Sequence, residues 1–180
     1  MSKKTKTGIL PSQELNTAIK RKFISSEYPI NEDQVQPASL DLRLSKTAYR
    51  VRASFLPGAK ATVKEKLENI TMHKIDLTNG AVLEKGCVYI VPLQERLNIP
   101  PEISGMANPK SSTGRLDIFT RVITDKAVEF DRIVPGYSGP LYAEISPLTF
   151  SVLVHHGSKL SQLRLRRGNF IATDGVSFTV

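Results

Sequence analysis

Short apolar stretches separated by turn residues fill the chain from Gln34 onward, and this punctuation limits the fold more than any other feature. Each stretch is about four to six residues long, the usual length of a strand rather than of a helix. Pro and Gly separate the stretches at Pro57-Gly58, Asn79-Gly80, Lys85-Gly86, Pro100-Pro101, Pro135-Gly136 and His156-Gly157. Many short strands joined by tight turns predict an all-β sandwich, barrel or jelly roll.

The clearest strand signal lies in residues 38–44. Leu40, Leu42 and Leu44 alternate with Asp41 and Arg43, a period of two that predicts a half-buried strand. The same reasoning places further strands at residues 87–93, 118–123, 141–145, 150–154 and 160–165.

The region before this β-rich part is different. Residues 1–10 are predicted to form a flexible arm, followed by a short helix with Ser12 as its cap and Leu15, Ile19 and Phe23 on one face. Residues 60–74 fit either a helix or an extended insert. A chain of 180 residues supports one core, so residues 11–172 are predicted to form a single domain.

Composition and charge narrow the function classes. No apolar run approaches the roughly 20 residues that span a bilayer, and the first residues lack the apolar part of a signal peptide, which predicts a cytoplasmic protein without a membrane partner. Cys87 lies in an apolar run and is interpreted as a buried, inert thiol. The net charge of +8 favours a polyanionic partner. Nucleic acid is disfavoured, since no basic stripe interleaved with aromatic residues occurs.

The segment Asn108-Pro-Lys-Ser-Ser-Thr-Gly-Arg115 concentrates groups that bind phosphate. Lys and Arg bring positive charge, the Ser hydroxyls and turn N–H groups donate hydrogen bonds, and Gly114 allows close approach of the backbone. The order of a P-loop is absent. The composition alone fits a phosphate cradle or a polar surface turn.

Glu144 is the candidate catalytic carboxylate. On the strand predicted at residues 141–145 it shares a face with Tyr142, opposite Leu141, Ala143 and Ile145, and that face points either to solvent or into a cleft. In a partly dry cleft a carboxylate can take a proton from water and return it to a leaving amine.

Zinc-dependent deamination is not predicted. Nucleobase deaminases of that type need a His/Cys ligand set that includes a paired Pro-Cys-x-x-Cys segment. The chain offers as soft ligands only Cys87, His73, His155 and His156. The sequence therefore predicts that no zinc is bound.

Taken in order, the motifs resemble the dCTP deaminase and dUTPase superfamily over approximately residues 34–166. The similar segments are Gln36-Pro-Ala-Ser-Leu-Asp-Leu-Arg-Leu44, Leu83-Glu-Lys-Gly-Cys-Val-Tyr-Ile-Val91 followed by Glu95 and Pro100, Lys110-Ser-Ser-Thr-Gly-Arg-Leu116, Ile133-Val-Pro-Gly-Tyr-Ser-Gly139, and Gly157-Ser-Lys-Leu-Ser-Gln-Leu163. Glu144 falls where the deaminases have their catalytic glutamate.

The resemblance implies a dUTPase-like β-clip, or distorted jelly roll, that assembles as a homotrimer with sites at subunit interfaces. It implies deamination of dCTP to dUTP and ammonia, with Mg²⁺ bound through triphosphate oxygens and no metal bound by protein side chains. Glu144 would activate water, helped by Ser111 and Arg115. The resemblance assigns substrate binding to Lys110, Ser111, Ser112, Arg115, Val128, Glu129, Phe130, Tyr137 and Gln162.

Departures from the family pattern keep alternatives open. Val134 stands where the family has Asp, with Asp131 three residues earlier, and Lys110 replaces an Arg. The basic tail that closes over the triphosphate in single-domain members is not evident, so residues 173–180 are expected to be an end strand or the start of a second half, as in two-domain bacterial members. The alternatives are a bifunctional enzyme that forms dUMP and a catalytically weak nucleotide-binding half.

Overall fold

The protein was analysed as a computed structural model, which describes residues 7–168. Its helices are α1 (Ser12–Lys20), α2 (Val63–Ile70) and α3 (Ser111–Arg115), with a 3-10 turn at Glu32–Gln34. Its strands are β1 (Gly8–Ile9), β2 (Ile24–Ser26), β3 (Val35–Gln36), β4 (Ser39–Arg43), β5 (Thr47–Val51), β6 (Thr71–Asp76), β7 (Ala81–Leu83), β8 (Val88–Asn98), β9 (Ile103–Pro109), β10 (Ile118–Thr124), β11 (Arg132–Ile133), β12 (Ser138–Pro147), β13 (Val152–Val154) and β14 (Lys159–Arg167).

The strands form two main antiparallel sheets. The first has the order β11-β9-β14-β4-β3, with β1 added to β14, and the second has the order β10-β12-β8-β5-β6, with β2 added to β8. A short ribbon pairs β13 with β7. The predicted all-β class and short N-terminal helix are therefore confirmed.

The core lies between the two sheets because each strand turns alternate residues inward. Leu40, Leu42 and Leu163 of the first sheet and Val91 and Ala143 of the second belong to one buried cluster. Burial of this apolar surface is the main stabilising contribution to such a sandwich.

The outer face of the second sheet carries a smaller apolar cluster. Val63 and Leu67 of α2 pack there against Ile90, Ile123 and Tyr142. Residues 60–74, for which the sequence fitted either a helix or an extended insert, contain both, since α2 leads directly into β6. A capping box, in which Thr62 accepts from the Glu65 N–H, begins α2. This insert covers the face on which Glu144 lies.

Three local expectations were wrong. Gly8–Ile9 pairs with β14 and Leu10 is buried, so the predicted arm does not extend through residues 8–10; residues 1–6 lie outside the described residues. Pro11, not Ser12, is the N-cap of α1. Strand β4 is buried on both faces, and its two charged residues are paired, Asp41 with Lys110 and Arg43 with the buried Glu95.

Among residues 7–168, no helix is long and apolar enough to cross a membrane. The predictions for residues 173–180 fall outside the described residues.

Candidate functional site

Glu144 lies in the middle of β12, in the centre of the second sheet. Its strand neighbours are Arg121 on β10 and Ile90 on β8. The predicted alternation is confirmed, because Leu141, Ala143 and Ile145 join the main core while Tyr142 packs on the outer face. Glu144 is 1% exposed, so its carboxylate points neither to bulk solvent nor into an open cleft.

The partner of the Glu144 carboxylate is Arg121. The Arg121 Nη2–H donates to Glu144 Oε1 over 2.6 Å, and the Nε–H donates to the same oxygen over 3.2 Å. The other carboxylate oxygen, Oε2, is buried and has no hydrogen-bond partner among the described residues. One oxygen of the carboxylate is thus held by Arg121, and the other is left without a hydrogen bond within the described part of the chain.

Arg121 is itself held by groups from separate segments. Its Nη2–H donates to Ser54 Oγ over 2.9 Å. The guanidinium carbon lies 3.5 Å from the centre of the Phe130 ring and 4.7 Å from that of Phe119. Stacking on aromatic faces suits the planar guanidinium. Arg121 was missed by the sequence reasoning, and only the register of β10 against β12 could have revealed it.

Asp131 is a second carboxylate beside this cluster. It has a left-handed backbone (φ 63°), and its Oδ1 accepts from the Val122 N–H over 2.7 Å. Burial raises the pKa of Asp131; the Val122 hydrogen bond and the Arg121 charge oppose that rise, whereas the Glu144 charge adds to it. Asp131 therefore lies near the Arg121–Glu144 pair, where the sequence had left its role open.

The phosphate-cradle segment forms α3, which presents Ser111, Ser112 and Arg115 at the surface. Thr113 points inward, and its hydroxyl donates to the Leu160 carbonyl over 2.8 Å. The Leu160 carbonyl also accepts from the Lys110 N–H over 2.9 Å. Strand β14 therefore anchors the segment, while the Ser111 and Ser112 hydroxyls and the Arg115 guanidinium remain accessible.

Lys110 and Gln162 lie beside the cradle with protein partners of their own. The Lys110 ammonium donates to Asp41, a buried carboxylate on β4. Gln162 pairs with Asn108 and Asp41 across the first sheet, and its Oε1 accepts from Ser39 Oγ over 3.0 Å. Much of the positive charge of Lys110 is thus already neutralised by Asp41.

Val128, Glu129 and Tyr137 line a cavity of about 550 Å³. Val128 is 63% exposed there, and Glu129 pairs with Arg132 over 2.9 Å. The Tyr137 hydroxyl donates to the Pro140 carbonyl over 2.6 Å and accepts from the Asp125 N–H over 3.1 Å. Burial raises the pKa of Tyr137, so it stays protonated. The described lining includes neither Glu144 nor any residue of α3.

Within one chain, the residues of the predicted site therefore lie apart, with α3 in one place and Glu144 in another. Helix α3 ends at Arg115, and β10 runs from Ile118 to Arg121 before it reaches the level of Glu144. Three strand residues span about 10 Å. The structure brings Phe130 to Arg121, the partner of Glu144, and it places Ser111 and Arg115 just before the start of β10.

Comparison with known proteins identifies the family. The sequence model described as "2'-deoxycytidine 5'-triphosphate deaminase (DCD) N-terminal domain" matches residues 6–169, which is most of the chain. The chain belongs to this family. The all-β fold that the motif resemblance implied is confirmed with it.

Members of the dCTP deaminase family are similar to this chain in both sequence and structure. A dCTP deaminase of Halorubrum lacusprofundi is 32% identical over 73% of this chain and 63% of its own. A "dCTP deaminase, dUMP-forming" of Nanoarchaeum equitans is 27% identical over 92% of this chain and 87% of its own. The crystal structure of the Agrobacterium tumefaciens dCTP deaminase superimposes with a TM-score of 0.89 at 58% identity, covering 91% of this chain and 49% of that one.

The chain thus spans 63% of the length of the Halorubrum lacusprofundi relative and about half of the Agrobacterium chain. Within residues 7–168, no three His, Cys, Asp or Glu side chains are grouped so that they could hold a metal ion.

Proposed function

We propose that this chain binds dCTP and deaminates it to dUTP and ammonia, with Glu144 as the general base. The observation that carries the proposal is the Glu144 carboxylate, which is buried with one oxygen held by Arg121 and the other without a partner. Membership of the deaminase family supports the substrate.

In the proposed reaction, Glu144 Oε2 accepts a proton from water as the water oxygen bonds to C4 of cytosine. The carboxylic acid passes this proton to N3, and the carboxylate then takes the remaining proton of the C4 hydroxyl and delivers it to the exocyclic amino group. The C4–N bond breaks, ammonia leaves, and C4 becomes a carbonyl. A carboxylate suits this exchange because it accepts and releases the same proton within one site. No zinc is required in this scheme.

The triphosphate is assigned to α3. Ser111 and Ser112 offer hydroxyl donors and Arg115 offers a guanidinium, and all three are exposed. Lys110 would contribute only part of its charge, because Asp41 already neutralises much of it. Because the described residues gather no carboxylate cluster, Mg²⁺ would be held by the oxygens of the triphosphate.

The pyrimidine is assigned to the hairpin before β11. The backbone of Val128, Glu129 and Phe130 would bind its polar edge, with Tyr137 forming the wall of the adjoining cavity. Gln162 lies beside the cradle and would support the sugar–phosphate side. Because Glu144 is only 1% exposed, the site must open for the base to reach it.

A homotrimer would join the separated parts. The start of β10, which follows α3, already lies about 10 Å from the level of Glu144. We therefore propose that α3 of one subunit completes the site of its neighbour, with Ser111 and Arg115 helping to position the water. A stable monomer in light scattering that nevertheless turns over dCTP would contradict the shared site.

Ammonia release from dCTP tests the function, with Glu144→Gln as the key variant. Glu84→Gln is a matched control, because Glu84 is an exposed carboxylate paired with Arg50. We expect activity in the wild type and in Glu84→Gln, and none in Glu144→Gln. If Glu144→Gln deaminates as fast as the wild type, the assignment of the base is wrong. If the wild type is stabilised by dCTP but releases no ammonia, it is a nucleotide-binding half that needs a second domain.

A bifunctional enzyme is the second candidate, favoured by the dUMP-forming relative from Nanoarchaeum equitans, which is similar over 92% of this chain. Deamination alone releases neither pyrophosphate nor triphosphate. Pyrophosphate released in equal amount to ammonia would establish dUMP formation, and its absence would exclude it.

A further inference from the structure

The contact between Arg121 and Glu144 has an unusual geometry for an arginine–carboxylate pair. Such pairs often form two parallel hydrogen bonds that occupy both carboxylate oxygens. Here both Nε–H and Nη2–H converge on Oε1, at 3.2 and 2.6 Å. The contact fixes the carboxylate while leaving Oε2 unoccupied.

The unoccupied oxygen is costly to the fold. A buried acceptor without a partner loses its hydration and gains nothing in return, so such groups are rare in native proteins and often have a functional explanation. Glu144 Oε2 is of this kind among the described residues. A purely structural ion pair would be more stable with both oxygens bonded.

The surroundings of Arg121 maintain this geometry. Ser54, from the segment after β5, accepts from Nη2–H over 2.9 Å. Phe130 and Phe119 stack against the guanidinium, with Phe130 at 3.5 Å. With its plane and one nitrogen held from outside β12, the guanidinium has little freedom to rotate into a two-oxygen arrangement.

We propose that Arg121 is a positioning residue, which orients the Glu144 carboxylate so that Oε2 alone faces the attacking water. This inference rests on the proposed deamination and adds a residue to it. Arg121 acts through Glu144 and does not touch the substrate. Its loss would therefore reduce the rate of the chemical step far more than the binding of dCTP.

The test compares Arg121→Ala and Arg121→Lys with the wild type, measured as kcat and KM for ammonia release from dCTP. We expect kcat to fall about 100-fold in Arg121→Ala, the cost of a carboxylate misplaced by about 1 Å, with KM little changed. Arg121→Lys should recover part of the rate, since an ammonium replaces the charge but not the planar contact. Arg50→Ala is the matched control, because it breaks an arginine pair of the same sheet with Glu84.

Chemical rescue separates positioning from a structural role. Guanidinium chloride at millimolar concentration should restore much of kcat in Arg121→Ala and none in Glu144→Gln, and sodium chloride of equal ionic strength should restore neither. If the wild type is active and Arg121→Ala keeps its kcat, or loses it without rescue by guanidinium, the positioning role is refuted while the proposed function stands.

A stability cycle covers the case in which a variant folds poorly. The unfolding temperatures of the wild type, Arg121→Ala, Glu144→Gln and the double variant should be non-additive, the double variant unfolding near the less stable single variant. Additive shifts of the unfolding temperature would show that Arg121 and Glu144 do not interact, whether or not the chain is active. A wild type that releases no ammonia refutes the proposed function, and the positioning role falls with it.

Discussion

Replacing Arg43 by methionine is expected to destabilise the protein strongly, because Arg43 joins the two sheets through a buried carboxylate. The Arg43 Nε–H donates to Glu95 Oε1 over 2.8 Å, and the side chains are 8% and 0% exposed. Gln34 Nε2–H also donates to Oε1, over 3.0 Å, and the Arg43 backbone N–H donates to Oε2 over 2.8 Å. Further guanidinium bonds reach Pro29 O and Ser26 Oγ.

The magnitude follows from the charge left behind. Arg43→Met would strand a buried Glu95 carboxylate, and breaking one side of a buried ion pair costs about 3–5 kcal/mol. For a chain of this size each kcal/mol lowers the unfolding temperature by about 2–4 °C, so the fall should be about 6–20 °C. An exposed ion pair contributes at most about 1 kcal/mol to stability. Arg50→Met, which removes the contact with Glu84, should therefore change the unfolding temperature little.

The assays are urea unfolding, which gives the free energy, and thermal unfolding, which gives the unfolding temperature, both at a fixed protein concentration and followed by circular dichroism. The double variant Arg43→Met/Glu95→Gln should be more stable than Arg43→Met alone, since it removes the stranded charge and its amide oxygen can still accept from the backbone N–H of residue 43. An Arg43→Met variant no less stable than Arg50→Met would refute the reasoning, as would a double variant less stable than the single one.

Other perturbations test the site and the element that covers it. Because burial raises the pKa of Asp131, the native state favours the protonated carboxyl group more than the unfolded state does. The resulting contribution to the free energy of unfolding is present at low pH and is lost as pH rises through the raised pKa. Asp131→Asn should therefore gain stability relative to wild type between about pH 3.5 and about pH 7 in urea unfolding; a difference independent of pH would contradict this. Thr113→Val should cost about 1 kcal/mol and weaken the thermal stabilisation by dCTP, because the cradle loses its bond to Leu160, whereas Thr17→Val on exposed α1 should leave that stabilisation unchanged. Thr62→Ala should cost about 1 kcal/mol in urea unfolding by removing the cap of α2, and no loss would contradict the capping box.

Local patterns were enough for the fold class and most strands. The alternation of Leu40, Leu42 and Leu44 predicted β4, and the turn residues between apolar stretches predicted the boundaries of the others, because strand periodicity and turn chemistry act over a few neighbouring residues. The motif at residues 108–115 forms α3 with the Ser111 and Ser112 hydroxyls at the surface, and phosphate binding there stays a prediction.

Those local patterns could not predict contacts between segments that are distant in the sequence. Glu144 was equally compatible with solvent and with a cleft until the register of β10 against β12 placed Arg121 beside it, 23 residues away in sequence. Lys110 was expected to be free for phosphate, but β4 brings Asp41 to it across 69 residues. Side-chain alternation gives the face on which a residue lies, whereas burial and charge pairing depend on what the rest of the chain packs against that face.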